Sequence, residues 1–333
     1  MNAALAIDAG LEEATSPPER RGVARDAVRM LVTDRAAGTH EHARFFDLPK
    51  YLRRGDLLVV NDSATLPAAL RAARRGGERI ALHVSTRIDD QLWVVEPRAA
   101  VSPGEIFVLD DGAAVTLLTP LSDTSTRLWY AAFTLPVPMH AFLAKHGKPI
   151  RYAYMTANFP LSDYQTVFAR NPGSVEMPSA ARPFTERTVR EVRSAGAAIS
   201  PITLHCGVAS LEAPERPSIE RFAVPHPTAE AVNAARAQGR RVIAVGTTVV
   251  RALESAVRRG KVTAASGWTD LVIEPGHRLQ AADALITGFH EPAATHIAML
   301  RAFASEELLS QAYAAAAERR YFKHEFGDVH AIL

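Results

Sequence analysis

Polar residues with chemical capacity recur at the ends of short apolar runs in this chain. Asn61-Asp62 closes the run Leu57-Leu-Val-Val60, and His205 closes Ala198 to His205. Gly246-Thr247-Thr248 follows Val242-Ile-Ala-Val245. Asp283 and Thr287 bracket Ala284-Leu-Ile286, with His290 close behind, and Asp328 stands near the C-terminus. Two histidines and several carboxylates are a set suited to proton transfer and to holding hydroxyl groups. Their placement matters as much as their types, because ligands of open α/β sheets bind beyond the carboxyl ends of the strands.

The clearest local pattern is Arg241 to Glu254. Val242 to Val245 reads as a strand buried on both faces, Gly246 breaks it, and Val249, Val250, Leu253 and Val257 recur at helical spacing. The reading makes Thr247 or Thr248 the helix N-cap and turns the first backbone N–H groups toward a carboxylate, a phosphate or a ribose hydroxyl. An ordinary capped helix gives the same pattern. Neither Gly-x-Gly-x-x-Gly nor a P-loop is present. His205 follows Ile202 and Leu204, which suits a buried, hydrogen-bonded imidazole as well as a catalytic one. His290 lies in a loop between Gly288 and Pro292, a better position for facing a cleft. Asp62 could act as a base, although Asn-Asp-Ser is also an ordinary cap or turn.

The elements that must position these residues divide into two textures. From about Leu66 to Pro136, Ile80–Ser85, Gln91–Val95, Glu105–Leu109, Ala114–Leu118 and Leu128–Phe133 are separated by turn signals such as Gly76-Gly77 and Asp110-Asp-Gly112. Five or six short strands at this spacing predict a small antiparallel barrel or sandwich. The flanking sequence alternates strands and helices, so the expected architecture is an α/β core domain (1–66 and 137–333) with an inserted small antiparallel β-barrel domain (67–136). In the core, Met30–Val32 enters a hairpin, Phe45–Leu52 forms a short helix, and helices run over Thr185–Ala195, Thr228–Gln238, Ala298–Ala304 and Glu306–Glu318. Asp270–Ile273 reads as a strand. Met1 to Pro18 reads as a loose terminus, with order beginning near Arg20.

The 333 residues, 47% of them hydrophobic, allow one large domain or two ordinary ones. No apolar run approaches a membrane span or a secretory leader. The lone cysteine, Cys206, excludes an internal disulfide and fits a reducing, cytoplasmic setting, with a structural role as its default. Net charge is +2, but arginines cluster, as at Arg74-Arg75, Arg240-Arg241 and Arg258-Arg259. Such patches permit contact with phosphates without demanding it. No spacing matches a zinc pair or a nucleophile elbow.

Taken in order, the motifs resemble those of the S-adenosylmethionine:tRNA ribosyltransferase-isomerases of queuosine biosynthesis. They include Gly55-Asp-Leu-Leu-Val-Val-Asn-Asp62, Asp163-Tyr-Gln-Thr166, Gly173-Ser-Val175 and Thr203-Leu-His-Cys-Gly207. Ala244-Val-Gly-Thr-Thr248 through Glu254, Asp283-Ala-Leu-Ile-Thr287 through Pro292, and Phe326-Gly-Asp328 follow, and the likeness runs from about residue 20 to the end. It implies an α/β domain interrupted by a β-barrel, S-adenosylmethionine as co-substrate, tRNA as partner and no metal. The implied reaction attaches the ribosyl unit of S-adenosylmethionine to the aminomethyl group of a 7-deazaguanine in tRNA. The sugar rearranges to an epoxycyclopentanediol, and adenine and methionine leave. Such chemistry needs a base near C5′, whose protons the sulfonium acidifies. On this resemblance His205 or His290 would move protons, Asp62 or Asp283 would hold sugar hydroxyls or the sulfonium, and Thr247-Thr248 with Arg251 would hold the methionine carboxylate or a phosphate. Asn61, Gly246, Thr287 and Asp328 complete the expected binding set.

The chain departs from the family pattern at Ala64 and Ala69, where arginines are usual, and at Pro183, where a histidine is usual. Ser218 replaces a histidine, Gly288 an asparagine and Ala294 a serine. Lost cations weaken contact with a polyanion. Two further readings therefore stand beside the first: a paralogue that binds S-adenosylmethionine but acts on a small-molecule acceptor, and a non-catalytic binding protein.

Overall fold

The computed structural model describes residues 10–122, 125–208, 219–290 and 295–333. A nine-stranded sheet runs, edge to edge, through Ala265–Thr269, Glu220–Val224, Ala198–His205, Leu57–Asn61, Val242–Val245, Ala284–Gly288, Val329–Ile332, Arg29–Asp34 and Thr39–Arg44. The four strands from Ala198–His205 to Ala284–Gly288 are parallel. They end on one edge, so His205, Asn61, Gly246 and Thr287 are gathered there.

Side-chain alternation explains the layering. Leu57, Val59, Val242 and Ala244 face one apolar core with the helices His226–Ala237, Thr247–Ser255 and Glu306–Glu318, whereas Leu58, Val60, Ile243 and Val245 face a second with Phe45, Phe184 and Val192. Central strands coated on both faces are continuous apolar runs, as their sequences suggested. The Arg29–Asp34 and Thr39–Arg44 hairpin forms where Met30–Val32 led to a turn, and the Asp34 carboxylate accepts the N–H groups of Ala36 and Ala37.

Six antiparallel strands between Ala69 and Thr134 close into a barrel. Leu82, Val84, Trp93, Val95, Phe107, Val115 and Phe133 fill it, and the helix Met139–His146 packs Phe142 and Leu143 against the same core. The strand that sequence reading did not name is Ala69–Ala73 (Ala-Leu-Arg-Ala-Ala), which has no β-branched or aromatic residue. Its strandedness comes from pairing with Arg79–Arg87.

Two expectations are corrected. Asp270–Ile273 is not a strand: pairing with Glu220–Val224 ends at Thr269, whose hydroxyl accepts the Leu271 N–H, and the chain turns away. Order also begins before Arg20. Glu12–Glu13 pairs in parallel with Phe322–Lys323, and Ala14 is fully buried beside Met155, Tyr164 and Phe326. Two short polar residues give no periodicity to read.

Beneath the sheet edge, His330 is completely buried and its Nε2 lies 2.8 Å from Thr33 Oγ1. Burial, and then the charge of His40, push it down to about 3. The unfolded imidazole protonates near 6.5, so the stability of the neutral ring is complete above that pH and is lost as pH falls below it. The expected slope is about 1.4 kcal/mol per pH unit from this residue. Urea titrations at pH 7 and 5.5 should show His330→Gln to be less acid-sensitive than the parent by that amount, and equal slopes would refute the assignment.

Candidate active site

A cavity of about 360 Å³ opens at the carboxyl edge of the parallel strands, within the range of small-molecule sites. Its floor is the turn Gly246-Thr247-Thr248 together with Thr287, Gly288, Phe289 and His290. Gly246 is itself the N-cap of the helix Thr247–Ser255, at φ 103° and ψ 149°, with no side-chain cap. This replaces the expected cap at Thr247 or Thr248, because the sharp exit from Val245 needs a backbone shape reserved for glycine. Thr247 and Thr248, the first residues of that helix, line the cavity, and a helix start favours a carboxylate. Gly246→Ala should cost about 1–3 kcal/mol in chemical unfolding through backbone strain. A neutral result would mean that the turn adopts another conformation.

His290 stands at the same edge. Its Nε2 is 2.8 Å from Thr287 Oγ1, and its ring stacks on His296 at 4.3 Å and 6°. Burial, with His296, His324 and His330 nearby, holds His290 well below the ordinary imidazole range; burial, and Arg251 beyond it, bring His296 down to about 4. Burial thus favours the neutral form of both rings.

Another part of the lining is aromatic and acidic. Tyr152 and Tyr154 stack at 5.7 Å and 7°, and Tyr154 stacks on His324 at 4.4 Å and 11°. The Tyr152 hydroxyl donates to Glu176 and that of Tyr154 to Glu325. Burial pushes the Glu325 carboxyl up to about 7. His324 sits at φ 70°, an uncommon conformation for a residue other than glycine. Cys206 also lines the cavity, and burial, then Glu220, raise its thiol.

Sequence reading overlooked this wall. Tyr152 and Tyr154 belong to no periodic element, Cys206 was read as structural, and His324-Glu325 immediately precede the recognised Phe326-Gly-Asp328. His296 is placed by the short helix Thr295–Leu300.

The remaining expected site residues lie outside this lining. Asn61 spends its amide on the neighbouring strand, accepting from Leu204 and Ser63 N–H at 3.0 and 3.1 Å and donating to Leu204 O at 2.8 Å. Asp62 accepts from Thr203 Oγ1 at 2.6 Å and Asn171 Nδ2 at 3.0 Å. The His205 ring packs on the Gly173 backbone, where an added Cβ would lie 2.7 Å away, and its Nδ1 is 2.7 Å from Ser63 Oγ. Burial, then Arg221, lower its pKa against the pull of Asp62. These three form a polar network beside the cavity, joined to it by the contact from Asn61 to Thr248.

Three further positions are engaged with other parts of the protein. Asp283 lies at the opposite edge of the sheet, because it precedes its strand; it accepts from Arg236 and Val242 N–H at 2.9 Å each. Arg251 is buried against Glu220 and donates from Nε to Leu271 O at 2.9 Å, so its guanidinium faces the protein interior. Asp328 shares the site edge but accepts the N–H groups of Arg29 and Phe322 at 2.7 and 2.8 Å; burial raises its pKa against those bonds. The departures at Ser218 and Ala294, like Pro292, fall outside the described residues.

Residues 11–332 match the family model for the queuosine biosynthesis protein. The chain belongs to the queuosine biosynthesis protein family. Among members of this family, an S-adenosylmethionine:tRNA ribosyltransferase-isomerase of Moorella thermoacetica is 38% identical over 93% of this chain and 94% of its own. The Thermus thermophilus protein of the same name is 36% identical over 95% and 97%. The crystal structure of an S-adenosylmethionine tRNA ribosyltransferase from Thermotoga maritima aligns over 96% of each chain, with TM-score 0.55 and 28% identity. The queuosine-family fold of mixed α/β core and closed barrel is thus shared from end to end. Among the described residues, no helix is long and apolar enough to cross a membrane.

Proposed function

We propose that this protein is an S-adenosylmethionine:tRNA ribosyltransferase-isomerase that acts in the cytoplasm on the 7-aminomethyl-7-deazaguanine base of tRNA. The observation that carries this reading is similarity over nearly the full length of relatives bearing that name. It outweighs the substitutions at Ala64, Ala69 and Pro183, which first suggested a small-molecule acceptor or a binding protein. Residues 1–66 and 137–333 would act as one discontinuous domain, with 67–136 inserted as the barrel; closure of the six strands between Ala69 and Thr134 supports the insertion, and Met139–His146 with Lys148 adds to the barrel side of its C-terminal boundary.

The cavity fits S-adenosylmethionine as substrate in size and polarity. Its methionine carboxylate would meet the N–H groups at the start of Thr247–Ser255, where the helix dipole favours negative charge. His290, neutral and oriented by Thr287, would take the proton from C5′, with His296 behind it. His205 and Asp62 would position the strand edge from outside the cavity. No metal is invoked.

The test is incubation of the purified protein with S-adenosylmethionine and tRNA carrying the aminomethyl base, following adenine release and nucleoside mass together. Adenine with the epoxycyclopentanediol adduct supports the reading. Adenine released without a tRNA adduct would transfer the activity to a small acceptor, and no release would end the enzyme reading.

A further inference from the structure

The aromatic and acidic wall contains chemistry that a nucleoside sulfonium alone does not require. Three nearly parallel rings, Tyr152, Tyr154 and His324, form one stack, and two carboxylates, Glu176 and Glu325, accept the phenol hydrogens of its tyrosines. An aromatic stack extends naturally onto another flat π-system, which is how unpaired bases are held by protein side chains. An ionised carboxylate only accepts hydrogen bonds, with room for about four, and a protonated one still accepts through its carbonyl, so the pair suits a ring whose edge carries N–H donors. Purines differ here: a guanine-type base presents an N–H and an amino group side by side, whereas adenine has no ring N–H.

We propose that the Tyr152, Tyr154 and His324 stack is the platform for the acceptor base, and that Glu176 and Glu325 read its N–H donor edge. The platform and the helix start line one cavity, and the His324 N–H donates to Phe289 O beside His290, so the stack and the proposed donor site share one space. An enzyme working on a base within RNA must draw that base out of its stack, and an aromatic wall replaces the lost stacking. The assignment rests on the proposed tRNA reaction and specifies which wall discriminates.

The experiment compares two anticodon stem-loop RNAs, one carrying 7-aminomethyl-7-deazaguanine and one carrying the same base without its 2-amino group. Parent protein, Glu176→Gln, Glu325→Gln and Tyr154→Phe are assayed for kcat/KM on each RNA and for KM of S-adenosylmethionine, with thermal unfolding as a fold control. The parent should prefer the full base at least tenfold. At least one glutamine variant should narrow that preference to about threefold or less while KM for S-adenosylmethionine moves less than twofold. Tyr154→Phe, which leaves the carboxylate, should retain the preference. Undiminished preference in both glutamine variants overturns the proposal, as does a tenfold rise in KM for S-adenosylmethionine with preference intact. A parent protein that modifies neither RNA instead removes the underlying function, and the two failures are thereby distinguished.

Discussion

Arg251→Ala should lower stability by about 3–5 kcal/mol in urea, the cost of leaving Glu220 charged and unpaired in the interior. Both side chains are at most 10% exposed, and among the described residues the Gly207 N–H, at 3.2 Å, is a further donor to Glu220. Burial raises the Glu220 pKa and Arg251 opposes that rise, so removing the guanidinium raises it further. Replacing both members with apolar residues of similar volume, as in Arg251→Met with Glu220→Leu, should recover most of the loss. An Arg251→Ala protein of parental stability that no longer binds S-adenosylmethionine would restore the residue to a ligand role and overturn the assignment.

His290→Ala should reduce turnover by about 10²- to 10⁴-fold, the usual contribution of a positioned base. Its fold should survive, because the site is a cavity wall and the backbone N–H of His290 keeps its bond to Tyr313 Oη at 3.3 Å. Since burial holds the His290 imidazole well below its ordinary value, the parent kcat/KM should show no limb from this residue between pH 6 and 8. Activity should persist as pH falls through 6.5, the reverse of what a solvent-exposed base would give. His205→Ala should cost less than His290→Ala, its ring being engaged with Ser63 and Gly173 outside the cavity lining. Equal losses would place both imidazoles at the reacting atoms.

Periodicity made the parallel strands and their helices legible, because Leu57–Val60 and Val242–Val245 are buried on both faces and their sequences record it. The barrel was legible through its turns, apart from Ala69–Ala73, whose composition is neutral and whose pairing is tertiary. Sites were harder. Gly246 and His290 sit where a strand ends, which sequence reports, whereas Asp283 also borders a strand but at its beginning, and spacing does not distinguish the two edges. Arg251 shows the same limit: helical phase puts it on a different face from Val250, but only Glu220, brought in from another strand, decides that this face is buried. Tyr152 and Tyr154 share one loop, but Glu176 and Glu325 come from two others. Their proximity is created by the fold and leaves no local signature.

The barrel also bears on how the chain finds its native state. Asn61 and Leu204, whose bonds fasten two central strands together, are 143 residues apart in sequence, and most of the barrel lies between them. Pairing those strands in an otherwise unfolded chain would require closing a very long loop. A barrel that folds first, with Ala69 and Lys148 already clasped at its neck, draws the flanking segments together before either strand has a partner. The effective separation would then shrink to the segments from Asn61 to Ala69 and from Lys148 to Leu204, which shortens the loop that pairing these strands must close. Weakening the clasp should therefore slow refolding more than it hastens unfolding, so the barrel serves as a kinetic scaffold for the sheet it interrupts.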